Sequence, residues 1–191
     1  SGKYSIQKEI KKSGCAKMNK IQKYFQYRQS LIDQYLKGDM TKREYLQMNY
    51  NAVVHNDIGP FRYMDTVEKC LYNYQYYNAL AKAMKSESTR YGIDYDAKND
   101  YKSQSDYFYS KKDRATMKVL KMLDYRGVEA YFVKVKSKFL KGRLYEIVCK
   151  DCYGMILHST NELILKSLRE EGVFSEGTRI SLIDGYVNQR Y

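Results

Sequence analysis

The chain's 191 residues are 43% hydrophobic and 15% aromatic, which suits a folded core and excludes a disordered chain. No apolar run approaches the roughly 18 residues that cross a bilayer, no secretory h-region is present, and four cysteines in this length do not form a disulfide framework. The formal charge of +12 is concentrated near the start: residues 1–91 hold 16 basic and 8 acidic side chains, and the first 23 residues hold seven lysines against one glutamate. A cytoplasmic protein is expected. Ser1-Gly2 reads as a tag remnant, which leaves open a targeting segment already removed.

Residues 1–16 read as a basic arm, disordered or loosely helical, of a kind that steers toward nucleic acid or anionic lipid. From Lys17 to Lys37, Met18, Ile21, Phe25, Ile32 and Tyr35 outline a helical stripe, with Gly38 as its terminator. Thr41 then caps a second helix over Lys42 to Val54. Glu44 lies three residues on and completes a capping box, with Met40 and Tyr45 placed as a hydrophobic staple. The Gly59-Pro60 turn leads into the stretch that organises the chain.

That stretch, Phe61 to Gly127, predicts two matched helices folded back on each other. Tyr63, Val67, Cys70, Tyr74, Tyr77, Ala81 and Met84 recur at alternating four- and three-residue steps. Tyr101, Ser105, Phe108, Lys112, Ala115, Val119 and Met122 keep the same rhythm, with polar Ser105 and Lys112 as its soft spots. Tyr91 to Ala97 forms the return, and Gly92 and Gly127 are placed as helix stops. Eleven of the 22 tyrosines fall here, and the run containing Tyr72, Tyr74, Tyr76 and Tyr77 is the candidate protein interface. Asp94, Asp96 and Asp100 lack the glycine and closing glutamate of a calcium loop and read as a solvated turn.

After Gly127 the period changes to two. Tyr131, Val133 and Val135 alternate with Phe132, Lys134 and Lys136, as in a strand. Gly142 marks a turn, a second strand follows over Leu144 to Lys150, and Asp151 to Gly154 connects to a third at Met155 to His158. Ser159 and Glu162 form another capping box that opens a helix ending at Gly172. The tail from Ser175 fits a helix through Ile180, Ile183 and Val187, or a strand through Thr178, Ile180 and Leu182; the helix is preferred. The expected architecture is α+β and mainly helical. A helical bundle over 17–126 is built on the long antiparallel hairpin. A small α/β subdomain over 127–191 follows, with a three-stranded antiparallel meander and one or two helices, and shares the bundle's core.

Chemistry-bearing residues are sparse. Cys149 and Cys152 have the spacing of half a zinc knuckle, and His158 is a further candidate ligand, but no second pair completes a four-ligand site. A Cys149–His158 nucleophile pair rests on presence alone. No zincin, nucleophile-elbow, phosphate-loop or dinucleotide motif occurs, so no catalytic residue and no cofactor is expected. Lys134, Lys136 and Lys138 share a strand face and are followed by Lys141 and Arg143. These five are the candidate nucleic-acid contacts, and protection of an exposed edge strand is the preferred account of the lysines.

The stretches Phe25-Gln-Tyr-Arg, Tyr74-Gln-Tyr-Tyr-Asn, Phe139-Leu-Lys-Gly-Arg-Leu-Tyr-Glu-Ile-Val and Leu168-Arg-Glu-Glu-Gly-Val-Phe resemble an uncharacterised family of small proteins from low-GC Gram-positive bacteria. The resemblance implies a cytoplasmic bacterial protein and carries over no functional residue. The expectation is a non-catalytic protein-interaction module, with an unknown protein partner or self-association. A nucleic-acid binder using the arm and the strand lysines is the alternative, and an enzyme comes third.

Overall fold

A computed structural model describes the backbone of residues 2–125, 130–136, 143–149, 156–159 and 179–183, and the side chains of residues 20–122. Four helices come first: α1 (Gly2–Lys37), α2 (Lys42–Val54), α3 (Val67–Ser88) and α4 (Tyr95–Tyr125). Four strands follow: β1 (Ala130–Lys136), β2 (Arg143–Cys149), β3 (Ile156–Ser159) and β4 (Arg179–Ile183). The chain divides into two compact units, Ser1–Phe61 with Gln75–Tyr109, and Arg62–Tyr74 with Ser110–Tyr191. The division falls within α3 and α4.

Helix ends follow local chemistry. The backbone of α1 is helical from Gly2, so the basic arm continues it. At its other end Gly38 adopts φ +84°, with Gly38 N–H donating to the Tyr35 carbonyl and Asp39 N–H to that of Gln34, a Schellman close. Thr41 caps α2 as its spacing predicts. Its Oγ1 accepts from Glu44 N–H at 3.2 Å, while its own N–H donates to Glu44 Oε2 at 2.7 Å. Two further caps are clear only in the structure. Thr66 Oγ1 accepts from Lys69 N–H at the start of α3, and Asp94 Oδ1 accepts from Asp96 and Ala97 N–H at the start of α4.

In the first unit α1 packs on α2 through buried Ile21, Tyr24, Leu31 and Ile32 against Tyr45, Leu46 and Val53. Tyr35 stacks on Tyr45 at 5.9 Å between centroids, and Tyr24 Oη donates to Asn49 Oδ1 at 2.9 Å, which satisfies a buried amide. Ala79, Ala81 and Ala83 keep this part of α3 slim, and Ser105 Oγ on α4 donates to the Ala81 carbonyl at 2.9 Å.

In the second unit Cys70, Leu71, Tyr72, Asn73 and Tyr74 are consecutive and all buried. Five residues exceed one helical turn, so this part of α3 is surrounded on every side. Ala115, Val119 and Leu120 of α4 are buried in the same unit. Fully burying a side chain such as Leu71 or Leu120 contributes about 1.5–3 kcal/mol. Lys112 is buried as well, its Nζ 5.0 Å from the centre of the Tyr74 ring. Both soft spots of the α4 stripe therefore face inward, one through a hydrogen bond and one through a ring.

The expected three-stranded antiparallel meander is corrected. The residues with described side chains contain helices and no strand, and the strands beyond them form a mixed four-stranded sheet in the order β3-β2-β1-β4. The two hairpins are antiparallel, but β4 lies parallel to β1, with Phe132 opposite Ile180 and Lys134 opposite Leu182. The preferred tail helix is thereby replaced, over Arg179–Ile183, by a strand. Its five residues are short for a helix, and the alternation of Ile180 and Leu182 matches the pleat. A parallel pair needs a long connection, and β2 and β3 both lie between β1 and β4 in the chain. The second capping box at Ser159 and Glu162 with its helix to Gly172, the turns at Gly142 and Asp151 to Gly154, and Gly127 fall wholly or partly outside the described residues.

Candidate functional site

Three regions carry the residues singled out by the sequence. The first is the tyrosine run of α3. Tyr72 and Tyr74 are 0% and 2% exposed, so neither ring meets solvent. Tyr76 and Tyr77 are half-buried, edge-on to each other at 5.3 Å, and Tyr77 stacks on Phe108 of α4. Burial raises the Tyr76 hydroxyl pKa above its ordinary value, with Tyr50 adding to the shift. Within this run Tyr72 and Tyr74 are core residues, and Tyr76 and Tyr77 keep part of their surface.

Exposed rings lie instead at Tyr27, Tyr63, Tyr91, Tyr95 and Tyr107. Two of these flank the tip of the α3–α4 hairpin, whose geometry is closely determined. Ile93 N–H donates to the Arg90 carbonyl, closing a turn in which Gly92 takes φ +76°. Gly92 is thus a turn residue rather than the stop of α3, which ends at Ser88. Glu87 accepts from Arg43 of α2 at 3.2 Å and sits 3.6 Å from Arg90, so charge pairs flank the turn on its α3 side. Tyr91 is fully exposed and Tyr95 nearly so. The signal for these two lay in the sequence, since tyrosines beside a glycine turn seldom reach a core.

The second region is the basic strand. β1 is bounded by β2 on one side and β4 on the other, so it is an internal strand. The account of Lys134 and Lys136 as edge guards is therefore overturned, because β1 has no open edge to protect. The register places Lys136 opposite Arg143 and Lys134 opposite Tyr145. Lys138 and Lys141 lie outside the described residues.

The third is the cysteine–histidine set. Cys149 ends β2 opposite Ala130, whereas His158 on β3 pairs with Glu146. Cys149 and Glu146 are three residues apart on one strand, so the pleat puts Cys149 and His158 on opposite sheet faces. Cys152 lies outside the described residues. Among the described residues, no three His, Cys, Asp or Glu side chains converge on a possible metal position. Cys70 is fully buried, its Sγ 3.7 Å from the Met64 carbonyl, and burial pushes its thiol up to about 11. A thiol so placed is structural.

A family model described as a family of unknown function (DUF6648) matches residues 14–191. The chain belongs to that family. No curated protein and no solved structure matches it. Membership agrees with the resemblance to an uncharacterised family and assigns no activity to any residue. Among the described residues no helix is long and apolar enough to cross a membrane.

Proposed function

We propose that this member of the family is a cytoplasmic bacterial protein that acts by binding rather than catalysis, docking another protein on the tip of its α3–α4 hairpin. One observation carries the reading: Tyr91 and Tyr95 are exposed on a turn held by a backbone hydrogen bond, a left-handed glycine and the Asp94 cap. Tyrosine gives a large amphipathic contact with few rotors to freeze, and a preset turn lowers the ordering cost of binding. A photo-crosslinking residue at position 91 should give discrete adducts in cells, weakened by Tyr95→Ala. The same residue at exposed Leu36 serves as the control. Adducts of equal yield at both positions would reject the tip as a docking surface, and sedimentation velocity on the purified protein separates a second copy from a foreign partner.

A further inference from the structure

We propose that the exposed cationic face of α4 in the second unit, formed by Lys111, Arg114, Lys118 and Lys121, docks the phosphate backbone of duplex nucleic acid. The inference goes beyond the hairpin tip and draws on different residues, so either can fail without the other. The four cations follow one another at steps of three, four and three residues along a single helix. That spacing gathers them within about 80° of one another round the axis. Arg114, Lys118 and Lys121 are exposed and Lys111 is half-buried, so the face is open to solvent. The far side of the same turns is closed, with Lys112, Thr116, Val119 and Leu120 all buried. Among the described residues the side chains of Arg114 and Lys118 have no ion pair and no hydrogen bond. Asp65, an acid of the same unit, is already held by Lys69.

Such a face works against its own helix. Lys111 with Arg114, Arg114 with Lys118, and Lys118 with Lys121 are like-charge neighbours at three- and four-residue separations, which destabilise a helix. Asp113, the one acid between residues 110 and 122, lies about 120° round the axis from the centre of the face and does not dilute it. The helix dipole favours cations only in the last turn, and α4 runs on to Tyr125, well past Lys111, Arg114 and Lys118. A bound polyanion turns the repulsion into attraction, and apolar contact decides which polyanion fits. A helix lying on a membrane must bury an apolar side in lipid, and that side of α4 is already buried in the protein. An acidic protein helix pairs through an apolar seam, and none of the exposed large hydrophobic side chains falls between residues 110 and 121. A single strand gains affinity by stacking on rings, and residues 110–121 contain no aromatic residue. Duplex phosphates need only cations. The face is about 15 Å long, and each strand of a duplex carries a phosphate about every 3.4 Å of axis, so all four cations find one.

The test is fluorescence anisotropy of a short labelled DNA duplex of mixed sequence with the full chain across a salt series. Each cation that neutralises a phosphate contributes about 0.9 to the log–log salt slope on a duplex. Arg114→Gln and Lys118→Gln should therefore each lower the slope by about 0.9, and the two together by about 1.8. Glutamine is a good helix former and neither side chain has a partner in the described chain to lose, so these variants should fold. Lys102→Gln is the control, because Lys102 is exposed on α4 but lies outside the face, and it should leave the slope alone. The lysines of residues 1–23 contribute equally in every variant, so the differences in slope report on α4. Four outcomes would overturn the proposal: a slope unmoved by both changes, an equal fall with Lys102→Gln, oligothymidylate bound as tightly as duplex, or polyglutamate or phosphatidylglycerol vesicles competing as well as unlabelled duplex.

Discussion

Lys112 shows how a residue can break a pattern and still belong to it. It sits in the apolar stripe of α4, where a lysine looks like a fault, and it is 6% exposed with its ammonium over the Tyr74 ring. A desolvated cation on a ring face contributes more than an exposed one, because water no longer competes for the charge. A double-mutant cycle with Lys112→Met and Tyr74→Leu should therefore give a coupling energy of about 1–2 kcal/mol in denaturant unfolding. Additive effects would show that the ring and the ammonium are mere neighbours. Cys70 supplies a second test through pH. Its folded pKa, about 11, lies above the ordinary value of 9.0, so the folded state holds the thiol proton more tightly. That stabilisation is complete below pH 9 and is lost as pH rises from 9 through 11. The stability advantage of the natural chain over Cys70→Ala should narrow across that window. A constant difference between the two would place the thiol in a more polar setting than its burial implies.

At the scale of elements, what could be read in advance was whatever nearby residues decide. The capping box of α2 involves Thr41 and Glu44 alone, three residues apart, and forms as its spacing requires. Thr41→Ala should cost about 1 kcal/mol of stability. Hydrogen bonds from Thr41, the backbone N–H first and then the side chain, hold the Glu44 carboxyl below its ordinary 4.5. A depressed carboxyl stabilises the fold above its unfolded pKa and ceases to as pH falls through the folded one. The effect of Thr41→Ala should therefore shrink in acid, and an effect that grows there would exclude the box. The α4 stripe was equally legible, since Ser105, Lys112, Ala115 and Val119 are all buried at the predicted positions. The burial of Tyr72 and Tyr74 was not legible, for a physical reason. A helix segment surrounded on all sides has no stripe, so period cannot sort the faces of Cys70 to Tyr74, and only packing puts Tyr72 at 0% while Tyr76, just beyond, stays half-buried. Cys149 and His158 posed a similar difficulty, because their faces depend on a ladder register that spacing along the chain does not determine.

For the whole molecule the decisive feature is the least local one, the return of residues 179–183 to lie parallel beside β1. Five residues with two plausible periods do not announce a strand, and a parallel partner some fifty positions earlier leaves no turn signature between them. The pairing nevertheless decides how the positive charge is interpreted. With β4 in place β1 is an inner strand and its lysines mark a face; without it β1 is an edge and they are guards. Deleting residues 176–191 converts one arrangement into the other. Amide hydrogen exchange should then accelerate at residues 130–136, where the ladder to β4 is lost, while residues 144–148 of β2 keep protection from partners on both sides. The truncated chain should also self-associate more readily, tempered by Lys134 and Lys136 on the newly opened edge, and replacing both with valine should accelerate that association. Unchanged protection across 130–136 after the deletion would show that β4 does not pair with β1, and it would restore edge protection as the account of the strand lysines.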